Sequence, residues 1–306
     1  MLMRKMIGAV AGTVMVGAAG AIGGAGAGAG AATAPAAPEC PDLYVVAIPG
    51  TWETSDANPS EGMLASVTDN LPTNTRTDYV TYAATAFPWE TDVYGRSKKQ
   101  AIDNARGLVM TMAQQCDATK IALIGYSQGA DAAGDLAAEI GTGSSPVPPE
   151  RIAAVGLISD PRRSPTDALV GPPVQGAGAG GPRIGGFGLL SQQTRTICAV
   201  GDLYCAAPPT DFATRFAGFL AQASDPDPAQ LWRYQQEAFA IIDDLTATGV
   251  VPLIQNQLAD PEMNERKQEF ERFYHSFVHQ NYPVYVVDSS GATATSWLRQ
   301  WLVGLA

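Results

Sequence analysis

Apolar residues along the chain fall into short continuous runs that alternate with longer segments of helical periodicity. The clearest run, Leu43–Ile48, ends at Pro49 and Gly50, which is typical of a strand buried on both faces. The same pattern predicts strands at Asp78–Ala83, Lys120–Tyr126, Arg151–Ser159 and Thr194–Val200, and helices at Gly95–Gln115 and Gln128–Ile140. Strands that alternate with helices predict an α/β fold, a three-layer α/β/α sandwich with a central, mostly parallel sheet.

Two segments interrupt this alternation. Residues 165–188 contain eight glycines and several prolines, which predicts a long loop without regular structure. Residues 206–275 carry apolar residues at helical spacing almost throughout, so we expect a helical insertion there. The insertion is either a subdomain that only packs against the sheet or a lid over an acyl-binding site, and both interpretations stay open.

The first 34 residues have the pattern of an export signal. Arg4 and Lys5 precede an Ala-, Gly- and Val-rich stretch, and the next charge is Glu39. An uncleaved membrane anchor is the alternative, but Gly and Ala insert poorly, which favours a cleaved signal peptide over residues 1–34. We expect residues 35–306 to form one domain with its insertion, in a secreted or cell-envelope protein.

Composition excludes several classes of partner. The chain is 46% hydrophobic and 16% charged, as expected of a globular protein, and its net charge is −11. It has no basic block, so we expect no nucleic-acid partner. The only histidines are His275 and His279, and no Cys-x-x-Cys occurs. We therefore expect no metal site, and the serine chemistry described below needs no organic cofactor.

Four cysteines fit an oxidising compartment. Three pairings are available, and the spacing favours Cys40–Cys116 together with Cys198–Cys205. In the loop-entropy description the eight-residue ring of the second pair stabilises the fold by about 2.5 kcal/mol, against about 4.5 kcal/mol for the 77-residue ring of the first. The small ring is better explained as a local constraint.

The segment Gly125–Gly129 is a G-x-S-x-G motif with Ser127 at its centre. The motif alone is weakly specific, but here it lies between a predicted strand and a predicted helix. The flanking glycines permit a tight, strained turn that exposes the serine hydroxyl at the strand end. The helix N-terminus that follows stabilises negative charge near a reacting carbonyl. Ser127 is therefore the candidate nucleophile.

A serine nucleophile needs a base and an acid that orients the base. His275 and His279 are the two candidates for the base, and both follow the serine in the chain order of α/β-hydrolases. Asp160 and Asp202 each follow a predicted strand and are candidates for the acid. Asp202 is favoured because the Cys198–Cys205 ring encloses it and would hold its carboxylate in place.

An oxyanion hole requires backbone N–H groups at two places. One is the residue after the nucleophile, Gln128. The other is expected from the loop after the first strand, which contains Gly50 and Thr51. The Thr51 hydroxyl could add a third donor, although Gly50-Thr51 is equally consistent with a plain turn.

Together these segments resemble the cutinase family. Cys40, Gly50-Thr51, Cys116, the motif around Ser127 and the Cys198–Cys205 segment follow its signatures in order and spacing. The resemblance implies both disulfides, Asp202 as the acid, and Thr51 and Gln128 as the oxyanion hole. It also implies His279 as the base, because His279-Gln-Asn-Tyr282 matches the family's H-x-x-Y segment and His275 does not.

The likeness is greatest to actinobacterial, mycobacterial-type cutinase-like proteins, through Ile48–Glu53, Arg183–Leu189 and Gly201–Pro208. It implies a serine carboxylic ester hydrolase of the phospholipase/thioesterase type. We expect this protein to act as a monomer on lipid-like long-chain acyl esters or thioesters, with transient envelope or membrane association. The alternatives are an acyltransferase that uses a sugar or lipid hydroxyl as acceptor, and a non-catalytic envelope-binding protein. The long insertion departs from small, lidless cutinases.

Overall fold

Six parallel strands form one sheet in the computed structural model, which describes residues 39–209, 211–226 and 275–306 together with residues 232, 235, 236, 238, 239, 268 and 271–273. The strands are β1 (Leu43–Ile48), β2 (Thr75–Tyr79), β3 (Lys120–Tyr126), β4 (Ile152–Ile158), β5 (Leu169–Val170) and β6 (Thr194–Ile197), and their order is β2-β1-β3-β4-β6-β5. All neighbours pair in parallel, so the predicted sheet is confirmed.

Helices cover both faces of this sheet. They are α1 (Ala65–Thr68), α2 (Tyr94–Gln115), α3 (Gln128–Gly141), α4 (Phe212–Gln222) and α5 (Ala294–Val303). Alternate residues of β1 divide between two apolar clusters. Tyr44 and Val46 pack with α2 and α3, whereas Val45 packs with α1 and α5. This division follows from the two-residue period of a strand and gives the predicted three layers.

Two predicted elements differ in detail. The second strand covers Thr75–Tyr79 instead of the predicted Asp78–Ala83. The apolar pattern misplaces it because β2 lies at the sheet edge, where its polar side chains remain partly exposed. The segment 165–188 was expected to lack regular structure. It contains β5, a two-residue strand that pairs with β6 at the opposite edge.

The predicted insertion is described only in part. Its first helix, α4, begins after Asp211, whose carboxylate accepts a 3.1 Å hydrogen bond from the Thr214 N–H. Most of residues 227–274, and the signal peptide expected over residues 1–34, lie outside the described residues. Among the helices of the described part, none has the length and apolarity needed to cross a membrane.

Candidate active site

The candidate residues lie where parallel strands end. Ser127 follows β3, Ser159 follows β4, and the Cys198–Cys205 segment follows β6. Because the strands are parallel and adjacent, their carboxyl ends meet at one edge of the sheet, where α/β proteins bind ligands. The fold therefore brings residues from distant parts of the chain to one place.

Ser127 carries the backbone strain expected at this turn. Its φ is 55° and its ψ is −120°, and its N–H donates to the Ile158 carbonyl at 2.9 Å. The flanking glycines are needed for space. A Cβ at Gly125 would lie 2.2 Å from the Gly129 carbonyl oxygen, and a Cβ at Gly129 would lie 2.0 Å from the Ile48 carbonyl oxygen. The glycines thus let strand and helix approach, while the serine itself adopts the strained conformation.

His279 lies between Ser127 and Asp202. Its Nε2 is 3.0 Å from the Ser127 Oγ, and its Nδ1 is 2.9 Å from Oδ2 of Asp202. Both distances suit hydrogen bonds, so one imidazole connects the hydroxyl to the carboxylate. His275, the other candidate base, is exposed to solvent. The geometry therefore brings together Ser127 and Asp202 with His279, the histidine that the family resemblance implies.

The Asp202 carboxylate is fully buried and accepts several hydrogen bonds. Oδ2 accepts from the Ser159 hydroxyl at 2.6 Å and the Tyr282 hydroxyl at 2.7 Å, and Oδ1 accepts from the Tyr204 N–H at 3.0 Å. Burial raises the pKa of Asp202, but His279 and the two hydroxyl groups outweigh it, and the net pKa is lowered. The carboxylate is therefore held ionised beside the imidazole.

Ser159 and Tyr282 are the residues that sequence reasoning missed at this site. The Ser159 hydroxyl also lies 3.1 Å from His279 Nδ1, so it contacts both Asp202 and His279. Tyr282 served only to select His279 through the H-x-x-Y spacing. The family spacing of that motif is the feature of the sequence that indicates a role for Tyr282, whose hydroxyl contacts the Asp202 carboxylate.

Asp160, the alternative acid, is occupied elsewhere. Its Oδ1 accepts from Arg183 Nη2 at 3.1 Å and from the Arg162 N–H at 3.0 Å, and its Oδ2 pairs with Arg183 Nη1 at 2.5 Å. Arg183 belongs to the segment Arg183–Leu189 that carried part of the family resemblance. The guanidinium thus neutralises a buried carboxylate that has no contact with either histidine among the described residues.

Both expected disulfides are present. Cys40 and Cys116 have Cα atoms 5.5 Å apart, and Cys198 and Cys205 have Cα atoms 5.9 Å apart. Within the smaller ring, the Asp202 N–H donates to the Ala199 carbonyl at 3.0 Å. The disulfide and this turn together fix the backbone of Asp202.

The oxyanion-hole candidates are joined to each other. Gln128 is the first residue of α3, so its N–H has no acceptor within the helix. Its side chain accepts from the Thr51 hydroxyl at 3.2 Å and donates to the carbonyls of Thr85 at 3.0 Å and Tyr94 at 3.3 Å. The Thr51 hydroxyl is thereby used inside the protein, so it is not the free third donor that the sequence suggested. The backbone N–H groups of Thr51 and Gln128 have no acceptor among the described residues.

A buried ionic cluster fastens α4 to the active-site helix. Asp131, one turn after Ser127, lies 3.3 Å from Lys98 Nζ and accepts a hydrogen bond from the Gln222 side chain in α4. Lys98 also pairs with Asp135 at 2.9 Å and donates to Gln222. Each buried charge therefore has a partner, as burial requires. The start of the insertion is tied to the base of the site.

No cluster of His, Cys, Asp or Glu in the described part of the chain is arranged to hold a metal ion. The groups assembled around Ser127 are a hydroxyl, an imidazole, a carboxylate and two free N–H groups. This set of side chains and backbone N–H groups can form and break an acyl–oxygen bond.

Comparison with known proteins agrees with this chemistry. Residues 39–225 match the family described as Cutinase. A carboxylesterase Culp6 homolog from Corynebacterium glutamicum is 32% identical over 207 residues, which are 55% of this chain and 66% of the relative. The chain thus spans just under two thirds of that relative's length.

Solved structures also resemble the chain. The catalytic core of acetyl xylan esterase from Trichoderma reesei has a TM-score of 0.47 at 21% identity, over 67% of this chain and 98% of that one. Lysin B from Mycobacteriophage D29 has a TM-score of 0.42 at 20% identity, over 68% and 90%. The family match covers more than half of the 306 residues, and the chain belongs to the cutinase family.

Proposed function

We propose that this protein is a serine carboxylic ester hydrolase that works through an acyl-enzyme on Ser127. The observation that carries the proposal is the imidazole of His279, with Nε2 3.0 Å from the Ser127 hydroxyl and Nδ1 2.9 Å from the buried Asp202 carboxylate. Family membership and the carboxylesterase name of the relative from Corynebacterium glutamicum support the same reaction class.

In the first half of the reaction, Ser127 Oγ attacks the acyl carbonyl carbon while His279 Nε2 takes the hydroxyl proton. Asp202 holds the imidazole in the tautomer with its proton on Nδ1 and stabilises the imidazolium. The Thr51 and Gln128 N–H groups bind the oxyanion of the tetrahedral intermediate. As the intermediate collapses, His279 gives its proton to the leaving alcohol or thiol.

In the second half, water attacks the acyl-enzyme carbonyl and His279 takes one proton from it. The second tetrahedral intermediate collapses, the proton returns to Ser127 Oγ, and the carboxylic acid leaves. The same residues serve both halves, so the site regenerates without any other reagent.

The substrates we propose are long-chain acyl esters or thioesters. Exposed apolar residues lie close in the sequence to each part of the site. Trp52 follows Thr51 and is 65% exposed, Val200 lies in the Asp202 ring and is 59% exposed, and Phe277 precedes His279 by two residues and is 60% exposed. A lipid-like acyl chain would cover these side chains, and the removal of this apolar surface from water would favour binding.

Export is part of the proposal. Disulfides persist in oxidising compartments, and this chain has two. We propose that residues 1–34 are a cleaved signal peptide and that the mature chain acts as a monomer, with transient association with a cell envelope.

A substrate panel tests the function. The purified chain is incubated with acyl esters of increasing length, a phospholipid and an acyl-CoA, and the products are identified with and without trehalose or glycerol. The proposal expects free fatty acid in every productive case, and more of it with longer chains. Acyl trehalose or acyl glycerol as the main product would favour the transferase alternative. No product, together with no labelling of Ser127 by a fluorophosphonate, would favour the binding protein.

A further inference from the structure

Glu53 lies two residues after Thr51, and its side chain folds back onto the loop that carries Thr51. Oε2 accepts a 2.7 Å hydrogen bond from the Gly50 N–H, and Oε1 accepts a 2.9 Å bond from the Met63 N–H. The Glu53 N–H donates in turn to the Gly50 carbonyl at 3.2 Å. One residue therefore holds both the N–H and the C=O of Gly50.

The bond from the Glu53 N–H to the Gly50 carbonyl fixes the direction of the Thr51 N–H, and the Glu53 carboxylate holds the same residue through the Gly50 N–H. In a trans peptide the C=O of one residue and the N–H of the next point in opposite directions. The Gly50 carbonyl points to Glu53, so the Thr51 N–H points to the opposite side of the peptide. On that side the N–H has no acceptor among the described residues.

The space around the carboxylate is shaped for it. Gly62 has a φ of +57°, and a Cβ there would lie 2.5 Å from Glu53 Oε2. On the other side of the loop, a Cβ at Gly50 would lie 2.7 Å from the ring of Tyr126, the residue before the nucleophile. The Gly50 backbone is thus clamped between the Glu53 carboxylate and the strand that carries Ser127.

The Glu53 carboxylate contributes little to the stability of the folded protein. No Lys or Arg pairs with Glu53 in the described ranges, and its partners are backbone N–H groups. Burial raises the pKa of Glu53, and the two N–H groups and His279 lower it only in part. Glu53 is part-buried, and a part-buried carboxylate without a paired cation is disfavoured for stability alone.

We propose that Glu53 is a positioning residue that aims the Thr51 N–H at the oxyanion of the tetrahedral intermediate. This inference rests on the proposed function, since it assumes acyl chemistry at Ser127. Glu53 touches no reacting atom. Its carboxylate holds the Gly50 N–H and its own N–H holds the Gly50 carbonyl, so its effect passes through the Gly50 backbone to the Thr51 N–H. Its loss is expected to weaken binding of the transition state more than binding of the substrate.

The test compares Glu53→Gln with Glu61→Gln, an exposed acid of the same segment. The amide keeps one acceptor oxygen but cannot accept the second N–H bond. On a soluble short-chain acyl ester, we expect Glu53→Gln to lower kcat by about 10- to 100-fold, with KM changed by less than about twofold. Affinity for an alkyl boronic acid, which forms a tetrahedral adduct on the serine, should fall by the same factor. Glu61→Gln should match the wild type in all three.

A second variant, Glu53→Asp, keeps the charge but shortens the reach, and it is expected to lose kcat and boronate affinity together. It also serves if Glu53→Gln does not fold, as judged by circular dichroism. Wild-type kcat and boronate affinity in either folded variant would overturn the inference and leave the hydrolase proposal standing. A wild-type chain with no hydrolysis and no fluorophosphonate labelling would contradict both.

Discussion

Tyr282 donates a 2.7 Å hydrogen bond to Oδ2 of Asp202, the same oxygen that lies 2.9 Å from His279 Nδ1. Both Tyr282 and Asp202 are fully buried. We predict that Tyr282→Phe lowers the free energy of unfolding by about 1.5–3 kcal/mol, because a buried carboxylate loses a donor. Weaker orientation of the imidazole should also lower kcat. Denaturant unfolding and ester hydrolysis measure the two effects.

The control for this variant is Tyr285→Phe. The Tyr285 hydroxyl accepts from the Val200 N–H at 3.2 Å and does not contact the acid. Tyr285→Phe should leave kcat within about twofold of the wild type and lower the free energy of unfolding by about 1 kcal/mol or less. Equal kcat values in the two variants would show that Tyr282 does not act through Asp202.

Asp202 should make stability depend on pH. Its pKa in the folded protein is below the ordinary value of 3.8, so the folded state favours the ionised form. This contribution is complete above the ordinary value and is lost as the pH falls through it towards the folded pKa. We predict that the difference in unfolding free energy between the wild type and Asp202→Asn narrows from about pH 5 to about pH 3. A constant difference would mean that the folded pKa is not lowered. Other carboxylates, such as Asp135, are present in both proteins and cancel.

The two histidines should differ sharply. His279→Ala removes the group between Ser127 and Asp202, and we expect kcat to fall by at least ~10³-fold. His275 is exposed, so His275→Ala should keep kcat within about twofold. Steady-state hydrolysis of one soluble ester suffices for the comparison. The opposite result would assign the base to His275.

The sequence predicts those parts of the site that local patterns encode. Continuous apolar runs identify β1 and β3, and the motif around Ser127 specifies a strand–turn–helix. The cysteine ring points to Asp202, and the family resemblance points to His279 through its four-residue H-x-x-Y spacing. In each case the information lies within a few neighbouring residues.

The contacts of Ser159 and Arg183 depend on the three-dimensional fold instead. Ile158 pairs with Ile197 across β4 and β6, and this pairing places Ser159 beside the segment that holds Asp202. Likewise, Arg183 reaches Asp160 only because the glycine-rich segment folds back over α3. These contacts join residues that are far apart in the sequence, so the spacing of residues along the chain does not predict them.

The two disulfides should affect stability and activity in opposite order. Replacing Cys40 and Cys116 by Ser opens the larger ring and should cost about 4.5 kcal/mol, against about 2.5 kcal/mol for Cys198 and Cys205. The second replacement should nevertheless lower kcat more, because it frees the backbone of Asp202. The kcat values of both variants are measured below the unfolding temperature of the less stable one. Unchanged kcat without the smaller ring would contradict its positioning role.

The central claim is that Ser127 is the activated nucleophile. Its most direct test is mass spectrometry of the intact chain and its peptides after treatment with a fluorophosphonate, for the wild type and Ser127→Ala. Ser127→Ala should change the unfolding free energy by no more than about 0.5 kcal/mol, since alanine meets the same strain at this φ. We predict one phosphonyl adduct in the wild type, on the peptide that contains Ser127, and none in the variant. A wild type without an adduct, or an adduct that persists in Ser127→Ala, would contradict the account.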